Sequence, residues 1–191
     1  MPVQFSPQYL ALLKEFEGYY TIPYMCPAGK CTIGYGTNLE AHPRYIPYAD
    51  IREKVQAGKL RGSGLVRILR DRGMTWDKGK AEEAMLEELA GTEEDLRTRC
   101  SAYRVLRDKG ETVRAEALLD MAYNMGVGNP PRQGKRGSGL LGFYGTLPMI
   151  ERGEYVKAAE NLRNSAWYRQ VGRRSRAVCA MLRNGTYPEK I

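Results

Sequence analysis

Around Gly18 the chain changes periodicity, and that change constrains the fold more than any other feature of the sequence. Ahead of it, Ser6-Pro7 reads as an N-cap followed by proline at the first helical position. Leu10, Leu13 and Phe16 (or Leu12 and Phe16) recur at helical spacing and predict a helix over about 7–16 that ends near Gly18. Residues 19–39 are instead rich in Tyr, Thr, Ile and Gly, with turn residues at Pro27-Ala28-Gly29. They predict a β-hairpin or small meander: 19–26, a turn, then 31–35. A short hairpin cannot bury itself. It must lean on helices, and the junction is the natural place for a cleft.

The remainder reads as helix. Pieces are expected over 50–57 and 63–72, separated by Gly58 and Gly62-Ser63-Gly64. Thr75-Trp76-Asp77 opens a helix over about 78–90, followed by another over 92–107. Val113, Leu118, Leu119, Met121, Ala122 and Met125 mark 113–125 as the buried central helix. Residues 126–142 are rich in Gly and Pro and carry Arg132, Lys135 and Arg136. They read as a mobile basic loop, either functional or a plain surface insertion. Helices follow at about 144–152, 154–164 and 173–183, and no internal repeat is visible. The expected class is α+β, mostly helical, with a small sheet near the N-terminus. A chain of 191 residues can build one core, or one core divided into two lobes.

The net charge of +8 attracts polyanions: nucleic acid, anionic lipid or bacterial cell wall. From Arg152 to Ile191 nine Lys/Arg stand against three Asp/Glu, netting +6, and Trp167, Tyr168 and Tyr187 are mixed among them. Such mixing suits nucleic acid and sugar chains alike. From Lys80 to Asp95 seven acids stand against one base, which reads most simply as a solvated helix face. No apolar run approaches the roughly 18 residues that span a membrane. The N-terminus has neither a basic nor a long apolar region, so the expectation is synthesis in the cytoplasm without a cleaved signal. Cys26, Cys31, Cys100 and Cys179 are too few for a disulfide scaffold, and C-x4-C does not suit a zinc half-site. His42 is the single histidine, beside Pro43, and supports neither a metal site nor a His-dependent triad. No metal and no cofactor are expected.

Glu17 follows Phe16 where the helix gives way to the hairpin. A carboxyl there can be partly desolvated, which raises its pKa and suits a general acid. It can equally be a solvated helix-end acid like Glu15. Glu17-Gly18, followed by Pro23-Tyr24-Met25-Cys26-Pro27-Ala28-Gly29-Lys30-Cys31-Thr32-Ile33-Gly34-Tyr35-Gly36, resembles the signature of the T4-type phage lysozymes. There a Glu-Gly pair is followed by a Tyr, an Asp or sometimes a Cys, a Gly turn, and Thr-Ile-Gly-Tyr-Gly. Residues 113–126, 143–149 and 161–187 also resemble that family, whereas 40–73 and 127–140 match poorly and read as insertions or divergent loops.

The resemblance implies a two-lobed lysozyme-like domain. About 18–75 would form the small β-containing lobe, and about 1–17 with 76–191 the helical lobe. It implies a peptidoglycan hydrolase (muramidase) cleaving the β-1,4 bond between N-acetylmuramic acid and N-acetylglucosamine. Glu17 would protonate the leaving oxygen, Thr32 would hold the attacking water and Cys26 would occupy the second catalytic position. Arg174 would orient the acid, or pair with another acid. Tyr123, Asn124, Thr146 and Asn161 would contact sugar, with core packing open for Tyr123 and expected for Trp167. The implied setting is a phage or prophage endolysin that waits in the host cytoplasm and reaches the wall through a holin. It would act as a monomer, with no nucleic-acid partner and no stable membrane insertion.

Two features depart from the family pattern. The usual second carboxylate is Cys26, and no Asp or Glu lies between Glu17 and Glu40 to replace it. Cys26 is open to a thiolate role, a nucleophilic role or mere space-filling, and a Cys26–Cys31 disulfide is not expected in the cytoplasm. The family's frequent Gly-His is Gly36-Thr37 here. Two competing readings stay open. One is a lytic transglycosylase on the same bond. The other is a non-catalytic cationic module for wall or nucleic acid.

Overall fold

The computed structural model describes residues 4–189. The chain forms two compact units, one of Lys14–Glu88 and one that joins the N-terminal residues through Leu13 to everything from Leu89 onward. Helix α1 (Pro7–Glu17) and helix α4 (Lys78–Arg99) each run from one unit into the other.

The hairpin unit begins where α1 stops. Gly18 donates its N–H to the Lys14 carbonyl and turns the chain into β1 (Tyr20–Met25). β2 (Cys31–Gly34) returns antiparallel, with Tyr24 opposite Thr32 and Met25 opposite Cys31. The meander gains a short third strand that the sequence reading leaves open, β3 (Thr37–Asn38), with Thr37 opposite Ile33. A 3-10 turn (Pro43–Tyr45), α2 (Ala49–Gln56) and α3 (Gly62–Asp71) complete the unit, with α3 packed on β1 and β2. The core is Ile33, Leu39, Ile46, Ile51, Leu65, Leu69, Trp76 and Met85, all buried. Each such side chain contributes roughly 1.5–3 kcal/mol of burial. Polar ties fix the sheet on this core. Thr21 accepts from the Trp76 N–H at 2.8 Å, Tyr19 donates its hydroxyl to the Trp76 carbonyl at 2.8 Å, and Arg70 Nε reaches the Pro23 carbonyl at 2.6 Å.

The helical unit is built around α6 (Thr112–Met125). Every residue from Ala115 to Ala122 on it is buried, including Glu116 and Asp120. Around it stand α5 (Ser101–Asp108), a 3-10 turn (Leu140–Gly142), α7 (Leu147–Glu151), α8 (Tyr155–Arg163), α9 (Ala166–Val171) and α10 (Arg173–Asn184). Glu116 accepts from the Ser6 N–H at 2.8 Å and from the Tyr187 hydroxyl, so one buried carboxylate ties Ser6 and Tyr187 to the central helix.

Three sequence expectations change here. The predicted break near Gly91 is absent. α4 runs through it, because a helical glycine costs only about 1 kcal/mol, and the break falls at Cys100, whose backbone is extended. The acidic run is not wholly solvated: Glu93 is buried and accepts from Arg97 Nε at 2.6 Å and the Tyr103 hydroxyl at 3.0 Å. The basic stretch after α6 is a hydrogen-bonded antiparallel excursion, with bridges Asn129–Ser138 and Arg132–Lys135. α9 is additional, capped by the Ser165 hydroxyl accepting from the Tyr168 N–H. No helix among the described residues is long and apolar enough to cross a membrane.

Candidate active site

Glu17 is the last residue of α1 and is half-buried. Its carboxyl lies directly against the backbone of Gly36: a β-carbon there would sit 2.7 Å from Glu17 Oε2. Gly36 also has a φ of +84°, which an L side chain rarely adopts. Two residues earlier, a β-carbon on Gly34 would lie 2.9 Å from Ala81 Cβ and 3.0 Å from the Trp76 ring. The two glycines of Thr32-Ile33-Gly34-Tyr35-Gly36 thus have separate physical tasks. One lets the hairpin settle on α4, and the other leaves room for a carboxyl.

Thr32 and Cys26 share the other end of the hairpin. Thr32 is buried on β2 and its Oγ1 donates to the Lys30 carbonyl at 3.1 Å. Cys26 closes the turn: its N–H bonds the Lys30 carbonyl at 2.9 Å, and its carbonyl accepts from the Gly29 N–H at 2.8 Å. Burial raises the Cys26 thiol pKa. Hydrogen bonds from the backbone N–H groups of Lys30, Ala28 and Cys26 itself, and from the Thr32 hydroxyl, outweigh that and leave it lowered. The polar turn around Cys26 thus favours its thiolate over what burial alone would allow. The other three cysteines are buried and all four are unpaired. Burial pushes the Cys31 thiol up to about 12, so the two hairpin thiols differ sharply.

Glu88 was not singled out from the sequence. It is a largely buried acid on α4, with His42 Nε2 at 4.0 Å. Burial is the main reason its pKa stands at about 7. The charge of Glu17 pushes it the same way, while the buried Thr37 hydroxyl and Arg44 pull it down. Burial and Arg44 together lower His42. Near neutrality this contact is therefore not a full ion pair. Its signal in the sequence is Thr37, the position that departs from the family's histidine.

Glu40 was also missed. Its Oε1 accepts from the backbone N–H groups of Cys31 (3.0 Å) and Gly62 (2.9 Å), and Lys30 Nζ stands 3.5 Å from Oε2. Burial works against the charge, but these donors hold the carboxyl below the usual carboxylate range.

The remaining sequence-predicted residues lie in the helical unit. Arg174 is buried and forks onto Asp120, with Nε at 2.8 Å from Oδ2 and Nη2 at 3.1 Å from Oδ1. Burial raises Asp120 despite that partner. Tyr9 is completely buried nearby; desolvation first, then the charge of Asp120, hold its phenol well above the usual value. Asp120 was hidden in an apolar run, where an acid facing a cationic helix was the available signal. Thr146 is buried and donates to Asn161 Oδ1 at 2.7 Å, so those two residues are brought together. Asn124 is exposed and accepts from Trp167 Nε1 at 3.1 Å. Trp167 is buried, with the Phe143 ring edge-on at 6.3 Å. Tyr123 is half-buried, with its hydroxyl oxygen inaccessible to solvent. Among the described residues no group of three His, Cys, Asp or Glu is placed to hold a metal ion.

The chain matches the family model described as phage lysozyme over residues 14–181. It is also similar to the protein named Probable T4-type lysozyme 1 of Dictyostelium discoideum, 30% identical over 76 residues. That match covers 40% of this chain and 39% of the relative, so the chain spans well under half the length of that protein. The family match takes in Glu17, Cys26 and Thr32 on the hairpin unit and Tyr123 through Arg174 on the helical unit, and on its extent the chain belongs to the phage lysozyme family.

Proposed function

We propose that this protein is a muramidase, hydrolysing the β-1,4 bond between N-acetylmuramic acid and N-acetylglucosamine in peptidoglycan. The observation that carries the reading is the hairpin unit itself: the end of α1 sets the Glu17 carboxyl against the bare backbone of Gly36, and the same meander brings Thr32 and Cys26 together. Glu17 is the general acid. It gives its proton to the glycosidic oxygen, which otherwise leaves as a poor alkoxide. Thr32 holds the attacking water. Cys26, with its thiol pKa lowered by the turn donors, takes the place of the second carboxylate and draws the proton from that water. Tyr123, Asn124, Thr146 and Asn161 are the proposed sugar contacts. Arg174, fixed by Asp120, is the orienting cation. The protein works as a monomeric endolysin that reaches the wall after release by a holin.

The test is turbidity loss of permeabilised Gram-negative cells or purified sacculi with wild type, Glu17→Gln and Cys26→Ser. Wild type clears, Glu17→Gln does not, and Cys26→Ser clears more slowly. Reducing ends in the products accompany hydrolysis, whereas 1,6-anhydro ends would replace this reading with a lytic transglycosylase. A wild type that clears nothing across salt and pH sinks the enzyme assignment.

A further inference from the structure

The excursion at 129–138 leaves the helical unit between α6 and the Leu140–Gly142 turn, and it is built rather than loose. Asn129 and Ser138 exchange both backbone N–H···O bonds, at 3.0 and 2.9 Å, and Arg132 and Lys135 do the same at 3.1 and 2.8 Å. Its stem closes on bare backbone: a β-carbon on Gly128 would lie 1.9 Å from the Ser138 carbonyl oxygen, and one on Gly139 would lie 2.4 Å from that of Gly126. Leu140 and Leu141 donate to the Gly126 and Val127 carbonyls at 3.0 and 2.9 Å, and Arg99 grips the Gly128 carbonyl from α4.

None of these bonds uses a side chain at the tip. Arg132, Lys135 and Arg136 are all exposed. The sequence has no Asp or Glu between Asp120 and Glu151 to neutralise them. They share an open groove with Pro131, Gly142 and Tyr144, a residue 69% exposed. A folded stem thus holds three cations and an aromatic ring together at the surface, with no role in the core.

We propose that this excursion is a second binding site, taking the free stem-peptide carboxylates and the sugar faces of the wall polymer. The proposal rests on the peptidoglycan reading above. Guanidinium forks match carboxylates in two-point geometry, and an exposed phenol ring offers a face to the apolar side of a sugar. Because the stem already orders the backbone, binding adds no backbone-ordering cost to the side-chain freedom lost at the tip. The tight turn at Gln133-Gly134 gathers the cations into a compact cluster, which fits spaced carboxylates. A nucleic acid would instead want a track that follows several consecutive phosphates.

The experiment is sedimentation binding to purified sacculi in the Glu17→Gln background, with and without Arg132→Gln, Lys135→Gln and Arg136→Gln together, and separately with Tyr144→Ala. Thermal unfolding of each variant checks folding. The triple substitution lowers affinity roughly tenfold at low salt, and the difference shrinks as salt screens it. Amidating the stem carboxylates of the sacculi removes the difference. Equal binding by the triple variant overturns the proposal, as does a difference that persists on amidated sacculi. A larger loss of binding to a single-stranded oligonucleotide than to sacculi overturns it in favour of nucleic acid. Clearing by the wild type is scored separately, so a failure of hydrolysis is distinguished from a failure of this site.

Discussion

Gly36 and Asp120 show how much single residues carry here. Replacing Gly36 with Ala puts a β-carbon 2.7 Å from the Glu17 carboxyl and imposes a strained φ of +84°. The expected cost is about 1–3 kcal/mol of stability in denaturant unfolding, together with a fall in clearing rate far beyond what that loss explains. Asp120→Ala leaves Arg174 buried without its fork partner. Breaking a buried pair by removing one member costs about 3–5 kcal/mol, read as a shift in the urea midpoint at unchanged slope. Asp120→Asn keeps one acceptor and costs less. A neutral outcome for Asp120→Ala would remove the pair from the account of how Arg174 is held.

At the scale of elements, the hairpin depends on an acid outside it. Glu40 receives two backbone N–H groups, one from β2 and one from the start of α3, and so pins the sheet to a helix. Glu40→Ala is expected to cost about 2–3 kcal/mol at neutral pH, as for hydrogen bonds to a charged group. The folded-state pKa is depressed, so this contribution is fully present above the unfolded value and is lost as pH falls through the folded value. Wild type and Glu40→Ala therefore converge in acid. Equal spacing of the two stability curves at all pH values would contradict the ionic origin of the tie.

For the molecule as a whole, Glu88 sets a pH dependence of the opposite sign. Its folded-state pKa of about 7 is above the unfolded value, so the folded state keeps the proton longer. Stability falls as pH rises between the two values and is level above them. The groups facing it are Thr37, His42, Arg44, Glu87 and Glu17. Glu88→Gln is expected to be more stable than wild type by about 3 kcal/mol at pH 8 and nearly equal to it at pH 4, measured by thermal or urea unfolding. Equal stability at both pH values would show that the buried acid carries no such cost.

What the sequence determined by itself was local. Helical spacing and a proline at the first turn set α1, and the shift to Tyr, Thr, Ile and Gly set the meander. An apolar run set α6, and the composite motif around Glu17 set the family. Each of these rests on interactions between residues close along the chain, which a pattern records directly. The tertiary structure decided the rest. The sequence offered Gly91 as a helix end, but packing carried α4 through it to Cys100. It offered an acidic run as a solvated face, but burial took Glu88 and Glu93 out of it. It placed Glu17, Cys26 and Thr32 in one motif, but only folding showed which backbone the carboxyl touches and which donors lower the thiol. The physical reason is common to all of them: burial and hydrogen-bond partners belong to residues distant in sequence, and they alone decide whether an acid, a thiol or a glycine is ordinary or chemically distinctive.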